Sequence, residues 1–354
     1  MLKHRLKGWF RIAFGRVVWH SGLWRVFDRR MPRRLTILAG HCVGRPSGLP
    51  SDLAISEVRL GNILQTLGAS FDWCTVGEGV ESFEGPSLAR SMVALSFDDG
   101  YRDNLEVLAP ILNQTGAKAT VFLEGAPLVD GRVSWSHKYF WLIHVAGVAP
   151  ETIASELLNN SPEGKGFGLL AQAAGGAPEG REYQLKRVLK YECDATQRDA
   201  AVQRIFLGHG GEESVLRDSL YLSRQQALDL RAAGVELGGH TQDHEVLATL
   251  SPEEAFKQIA EGRNSMEKIL GPELSPCFAY PFGRNWDFDE DCKGAVVAAG
   301  YSIAVTTHAG IYEGRGDKLA IARLMLSEEL PIYQIMMEAS GAYQWLRRFG
   351  IDLA

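Results

Sequence analysis

Met92-Val93-Ala94-Leu95-Ser96-Phe97-Asp98-Asp99-Gly100 reads as an apolar strand that ends in two carboxylates and a glycine. It has a counterpart in Gly234-Val235-Glu236-Leu237-Gly238-Gly239, which runs into His240-Thr241-Gln242-Asp243-His244. Polar residues at the carboxyl ends of parallel strands are where α/β barrels carry their chemistry. Outward from these stretches the chain alternates strand and helix. Strands are predicted at 35–39, 71–76, 119–123, 277–280, 301–306 and 320–326, and helices at about 56–67, 105–116, 223–234, 251–271, 290–299 and from 331 towards 345. Ser223 with Gln226 and Ser251 with Glu254 spell capping boxes, the second with Pro252 at the first helical position. Phe256, Ile259, Met266 and Ile269 form the stripe expected to be buried. Such a βαβ rhythm implies a parallel sheet or barrel. It lapses over about 135–217, which reads as a helical insertion with pieces at 139–145, 152–158, 184–189 and 196–206 around a Gly/Ala/Pro-rich stretch at 171–180.

With 354 residues and 45% hydrophobic content the chain can bury one large core, and a single catalytic domain over 35–354 is expected. The net charge of −6 hides an asymmetry, because Lys and Arg crowd residues 1–34 against Asp28 alone, and the remainder is acidic. An acidic main domain argues against nucleic acid as a partner. The five cysteines are odd in number and show no Cys-x-x-Cys spacing, so neither a disulfide framework nor a zinc ribbon is indicated, and a reducing compartment is expected. No run approaches the roughly 20 apolar residues of a membrane span. Arg11 and Arg16 interrupt the apolar stretch that a signal peptide would need. These features point to the cytoplasm.

The basic amphipathic segment 1–34 places Leu6, Trp9, Phe10, Ala13, Phe14 and Val17 at helical spacing, with Lys7, Arg11 and Arg16 between them. Two readings stay open. Residues 1–30 lie on an anionic membrane surface, peripherally at its inner face, or they pack on their own domain or across an oligomer interface. The oligomeric state is not legible.

His240 and His244 lie four apart, so a helical turn would project them to one side. Two neutral imidazoles and one carboxylate hold a divalent ion and leave it open positions for water and substrate. Asp99 is the natural carboxylate ligand. Neighbouring side chains on an extended backbone diverge, which frees Asp98 to act as general base on the attacking water. Trp135, His137, Tyr139 and Trp141 crowd the start of the insertion, as a substrate wall or as its buried anchor.

The sequences Ser96–Gly100, His240–His244 and Phe278-Ala279-Tyr280-Pro281-Phe282-Gly283, in this order on alternating strands, resemble the polysaccharide deacetylase family, also known as the NodB-homology or carbohydrate esterase family 4 group. The likeness spans roughly residues 35–326. It implies a distorted (β/α)7 barrel, here with a helical insertion and the basic N-terminal extension. It also implies a divalent metal, zinc or else cobalt, nickel or manganese, and hydrolysis of N-acetyl groups on amino sugars. Asp98 would match the family's base, Asp99, His240 and His244 its ligands, and the backbone N–H of Tyr280 its oxyanion donor. Two family features are missing. Where many members place an Arg two residues before the third-motif Tyr, this chain has Phe278, and Arg323 is the candidate substitute for holding Asp98. No Leu-x-His motif supplies the acid for the leaving amine, so His308 and His41, each just past a strand, are the candidates.

The function expected is removal of an N-acetyl group from an amino sugar in a polysaccharide or lipid-linked saccharide. Deformylation, O-deacetylation and cyclic-amide opening use the same site. A catalytically silent carbohydrate-binding module would accord with the two missing family features, whereas retention of Asp98 speaks against it.

Overall fold

The computed structural model describes residues 2–44, 48–85, 91–160, 166, 169–170, 172, 180–272 and 274–351. Its strands are β1 (Leu35–Gly40), β2 (Cys42–Val43), β3 (Ala54–Ile55), β4 (Asp72–Cys74), β5 (Met92–Phe97), β6 (Ala119–Leu123), β7 (Glu236–Gly239), β8 (Cys277–Ala279), β9 (Ile303–Val305) and β10 (Leu324–Met325). The main sheet runs β10-β1-β5-β6-β7-β8-β9 with parallel pairing throughout. β4 adds to the start of β5, and β2 pairs with β3 apart from the main sheet. A bridge between Val305 and Ile321 draws β9 towards the segment entering β10, so the sheet curls into the distorted barrel that the family resemblance implies.

Every residue of β1 and β5 is buried, the signature of parallel strands covered on both faces. Leu35, Ile37, Ala94, Phe122, Ala279 and Val305 fill one layer. Leu38, Val93, Leu95, Val121 and Leu237 pack in a second layer with helix residues such as Leu60, Leu64, Leu230 and Ile259. Each such side chain contributes roughly 1.5–3 kcal/mol on burial. Register then sets the site. Gly40 pairs with Phe97 and Leu123 with Gly239, so His41 follows β1 beside Asp98, and His240 emerges level with Glu124.

Several elements depart from the sequence reading. β10 spans two residues, which leaves Arg323 immediately before it and not inside a strand. The last helix is two, Ile332–Ala339 and Ala342–Arg347, parted at left-handed Gly341. A wide π turn at Asn104–Leu108 precedes helix Ala109–Thr115, where Pro110 has no N–H to bond back to Glu106. Phe256 is 40% exposed, and Ala255, Ile259, Met266 and Leu270 make the inward stripe of helix Pro252–Leu270. Short helices at Val76–Glu81, Gly125–Val129 and Glu213–Leu220 were not anticipated.

The insertion forms helices Trp135–His144, Pro150–Asn160, Arg181–Tyr191 and Ala195–Gly208 around an apolar cluster of its own that includes Tyr139, Leu157, Leu185 and Val202. The stretch at 171–180 lies almost entirely outside the described residues. Trp135 and Tyr139 are buried in that cluster, so they anchor the insertion and are not a substrate wall.

Helix Leu2–His20 packs one face on its own domain. Phe14 stacks on Trp345 at 6.3 Å, Arg11 lies 4.3 Å over the Tyr343 ring, and the same Arg11 approaches the buried Glu338 at 3.4 Å. The other face stays open, with Trp9 76% and Val17 64% exposed. No helix among the described residues is long and apolar enough to cross a membrane.

Helix Pro252–Leu270 approaches the histidine loop closely at Gly262, where an added Cβ would sit 2.6 Å from the Thr241 carbonyl carbon and oxygen. Overpacking against backbone costs about 1–3 kcal/mol. Gly262→Ala is therefore expected to lower the unfolding free energy by that amount, read as a reduced urea midpoint, and to weaken divalent-metal binding. An unchanged midpoint would show that the loop yields freely.

Candidate active site

Asp98 still belongs to the sheet, since its N–H donates to Gly40 O at 3.0 Å. Asp99 and Gly100 then both take left-handed backbone, each at φ 72°. This turn, and not extended backbone, sends the two carboxylates apart. Asp99, Thr241, His244 and Phe282 are the non-glycine residues with positive φ among those described, and all but Thr241 line one cavity. Such backbone costs of order 1–3 kcal/mol per residue and persists where the surroundings over-determine it.

The histidines converge without a helical turn. Residues 240–244 form an irregular loop in which Thr241 Oγ1 accepts the His244 N–H at 3.1 Å. Helix Pro252–Leu270 clamps that loop, because Gln242 N–H donates to Gln258 O and Asp243 N–H to Gln258 Oε1, both at 2.9 Å. The imidazole centroids end 5.0 Å apart.

The Nε2 atoms of His240 and His244 each lie 3.3 Å from Asp99 Oδ1. That oxygen is buried and has no hydrogen-bond partner. His240 Nδ1 donates to Ala279 O at 2.8 Å, which fixes the proton there and leaves Nε2 a bare lone pair. Asp99 and the His240 lone pair therefore face each other as two acceptors, an arrangement that a cation resolves. A separation near 3.3 Å is also the edge of a tetrahedron whose arms are about 2.0–2.1 Å, the length of zinc–nitrogen and zinc–oxygen bonds. The three residues thus fit a divalent ion. A second group, Asp99 with Glu124 and His137, has its ligand atoms comparably close. His137 Nδ1 lies near Ser134 Oγ (2.6 Å) and Tyr221 Oη (2.8 Å), while its Nε2 meets Tyr101 Oη at 2.5 Å, so both ring nitrogens are engaged. Burial presses the His137 pKa down to about 3, and the Glu124 carboxyl is pushed well up by burial and by Asp99. That makes the second group the poorer ion site.

Arg323 is wholly buried and grips Asp98 with both arms, Nη1 to Oδ1 and Nη2 to Oδ2, each at 2.7 Å. Its Nε donates to Thr306 O at 2.8 Å and its Nη1 also reaches Ser96 Oγ at 3.2 Å. Burial alone would raise the Asp98 pKa, but the facing guanidinium outweighs it and holds the carboxyl below its ordinary value.

Two expectations need correction. The Tyr280 N–H donates to Val305 O at 3.3 Å, its hydroxyl to Leu319 O at 3.0 Å, and its ring stacks on Phe288 4.1 Å away in the outer layer. Strand pairing uses that N–H, so Tyr280 offers the cavity no donor. Phe282, which sequence reasoning passed over, lines the cavity with its ring 4.7 Å from that of His244. Gly283 N–H donates back to Pro281 O at 2.7 Å, making a tight γ-turn about Phe282, whose own N–H has no partner among the described residues. The Pro-x-Gly punctuation was the available signal. The second correction concerns the acid. His308 is not among the residues lining the cavity, its ring centroid lying 6.5 Å from that of Phe288, whereas His41 lines it.

The polysaccharide deacetylase family model matches residues 86–132 and 206–304, the two segments that carry both halves of this site. Over these two segments, less than half of its length, the chain is similar to the polysaccharide deacetylases. A curated relative from Bacillus subtilis (strain 168), named "Putative polysaccharide deacetylase YxkH", is 24% identical over 107 residues, which is 30% of this chain and 37% of YxkH. Among solved structures, the fold is similar to the deacetylase PplD of Streptococcus pyogenes (TM-score 0.55, 16% identity, 87% of this chain and 99% of that one). It is also similar to IcaB of Ammonifex degensii (TM-score 0.51, 16% identity, 87% and 97%) and to a de-N-acetylase of Aggregatibacter actinomycetemcomitans (TM-score 0.51, 13% identity, 85% and 98%).

Between the two matched segments, this deacetylase-like chain builds much of its cavity from the insertion. Phe140 and His137 come from helix Trp135–His144, and Tyr183, Lys186, Arg187, Lys190 and Tyr191 from helix Arg181–Tyr191. Arg284 faces them from beyond β8, and the open-mouthed cavity has a volume of about 270 Å³.

Replacing Arg323 leaves Asp98 buried without its counter-charge. Arg323→Gln is expected to lower stability by about 3–5 kcal/mol. Burial then loses its main opponent and raises the Asp98 pKa, so the acid limb of a kcat/KM profile, if it reports ionised Asp98, moves to higher pH. An acid limb that stays in place would contradict the pairing's part in activity.

Proposed function

We propose that this enzyme hydrolyses the N-acetyl group of an amino sugar, with a divalent ion held by Asp99, His240 and His244. The observation that carries the reading is the meeting of two imidazoles on an unpartnered Asp99 oxygen beside an Asp98 held ionised by Arg323. Zinc suits this donor set best, with cobalt, nickel or manganese as substitutes. When bound, the ion supplies a Lewis acid to the amide carbonyl and lowers the pKa of water to about 7.

The chain's own residues do the rest. Asp98 accepts the proton of the attacking water. The free Phe282 N–H donates to the carbonyl oxygen as charge collects there, an interaction that strengthens only in the transition state. His41, on the cavity wall, delivers the proton that the leaving amine needs. A cavity of about 270 Å³ lies at the small end of ligand pockets and favours one acylated sugar over a run of them. N-formyl, O-acetyl and cyclic-amide substrates would use the same groups. A silent carbohydrate-binding module would have no use for a buried guanidinium clamped on Asp98.

The open face of helix Leu2–His20 supports a peripheral place on an anionic membrane, at its cytoplasmic side. Trp9, Phe10 and Val17 are exposed there, in the segment that also carries Arg16, Arg25, Arg29 and Arg30. Packing of its inner face on the domain is compatible with that, since the two uses take opposite sides of one helix.

Asp98→Asn should keep its metal and lose roughly 10²- to 10⁴-fold in acetate release from N-acetylated oligosaccharides. Matched N-formyl and O-acetyl substrates run alongside assign the acyl group, and turnover undiminished in Asp98→Asn would refute the base. For the membrane, Trp9→Ser with Val17→Ser should reduce co-sedimentation with anionic vesicles but not alter the thermal midpoint. Equal sedimentation would remove the membrane from this account.

A further inference from the structure

We infer that the cavity mouth is an anion subsite, and that the substrate is an amino sugar bearing a phosphate ester, either a soluble sugar phosphate or the phosphate-linked headgroup of a lipid. This deepens the deacylase reading of the same cavity and rests on it. Helix Arg181–Tyr191 presents Lys186, Arg187 and Lys190 to the cavity, and Arg284 faces them from the loop after β8.

Cations elsewhere in the insertion are paired: Lys138 meets Glu213 at 2.7 Å and Arg198 meets Glu245 at 2.5 Å. Lys186 and Arg187 have no carboxylate within ion-pair distance among the described residues. Instead the Lys186 ammonium rests 4.0 Å over the Phe140 ring, and Lys190 sits 3.4 Å over Phe282 with Asp287 3.4 Å away. Asp287 pairs with Lys190 from behind the cavity wall, and the cavity's own carboxylates do not neutralise Lys186, Arg187 and Arg284. Asp98 is committed to Arg323 and Asp99 to the histidines, which leaves Asp52 alone. Burial accordingly pushes Lys186 down to about 8 and Lys190 down to about 7, a cost that a bound anion relieves.

A neutral glycan is recognised by aromatic stacking and uncharged hydrogen bonds and has no need of three cations free of a carboxylate partner beside a fourth. A tetrahedral phosphate does, since it takes guanidinium forks and ammonium groups from several directions at once. A planar uronate carboxylate, with a single charge, would be served by one fork.

The test is calorimetric titration of full-length, zinc-loaded Asp98→Asn protein, which binds without turning over. The probes are the anomeric phosphate of N-acetylglucosamine, its prenyl phosphodiester, an N-acetylated amino-uronate and the neutral methyl N-acetylglucosaminide. At least one phosphate probe is expected to bind roughly 10-fold or more tighter than the neutral glycoside. Arg187→Gln, at an exposed position, and Lys186→Gln, added singly, should each shrink that ratio by roughly 10-fold. The tighter of the two phosphate probes tells a soluble substrate from a lipid headgroup. Equal binding of phosphate and neutral probes, a ratio untouched by both substitutions, or preference for the uronate would overturn the subsite. Acetate release from neutral and phosphorylated sugars by the unsubstituted enzyme separates the two claims. Indiscriminate deacetylation would keep the deacylase reading and remove the subsite, and tight phosphate binding without acetate release would do the reverse.

Discussion

The buried pair of Arg323 and Asp98 is the contact on which the site turns. Its guanidinium reaches Thr306 after β9, Ser96 in β5 and both oxygens of Asp98, so one side chain ties the closing edge of the barrel to the strand that carries the carboxylates. A carboxylate this deeply buried would ordinarily take up a proton. With the guanidinium in place it stays a base, and with Asp98 satisfied, Asp99 is left to face the histidines. An excellent bidentate geometry with further hydrogen bonds is the condition under which a buried ion pair is tolerated at all.

Around that pair the backbone stores strain at the places where side chains must converge. Asp99, His244 and Phe282 all adopt positive φ, and each turn redirects a group that a regular strand or helix would have pointed elsewhere. Helix Pro252–Leu270 and the Pro281–Gly283 turn hold these conformations from outside, through Gln258 and through the Gly283 to Pro281 hydrogen bond. Rigid strands therefore set the level of the site, and strained turns set its aim.

Much of this was legible in the residues. The apolar runs of 92–97 and 119–123 became strands with those bounds, and the capping boxes at Ser223 and Ser251 formed as spelled. Asp99, His240 and His244 were brought together because register is fixed by hydrophobic pattern, which sequence displays. What escaped was tertiary. Whether a backbone N–H is free or held by a neighbouring strand is invisible in one dimension, so Tyr280 was preferred to Phe282. Arg323 could be suspected from its apolar surroundings, and its partner Asp98 only through the family resemblance, since which buried groups meet is a tertiary fact. The spacing of Tyr183, Lys186, Arg187, Lys190 and Tyr191 does mark one helix face; only the fold shows that this face covers the cavity. The N-terminal helix was ambiguous for a physical reason, because it uses one face inward and presents the other outward.

The central claim is that Asp99, His240 and His244 hold one divalent ion within reach of Asp98. Anomalous diffraction at the zinc edge, on crystals of the unsubstituted protein and of Asp99→Ala grown with zinc, tests it most directly. The account predicts a single strong peak in the unsubstituted protein, at bonding distance from His240 Nε2, His244 Nε2 and Asp99 Oδ1, and its loss in the variant. A peak seated instead between Glu124 and His137, or one that survives Asp99→Ala undiminished, would contradict it.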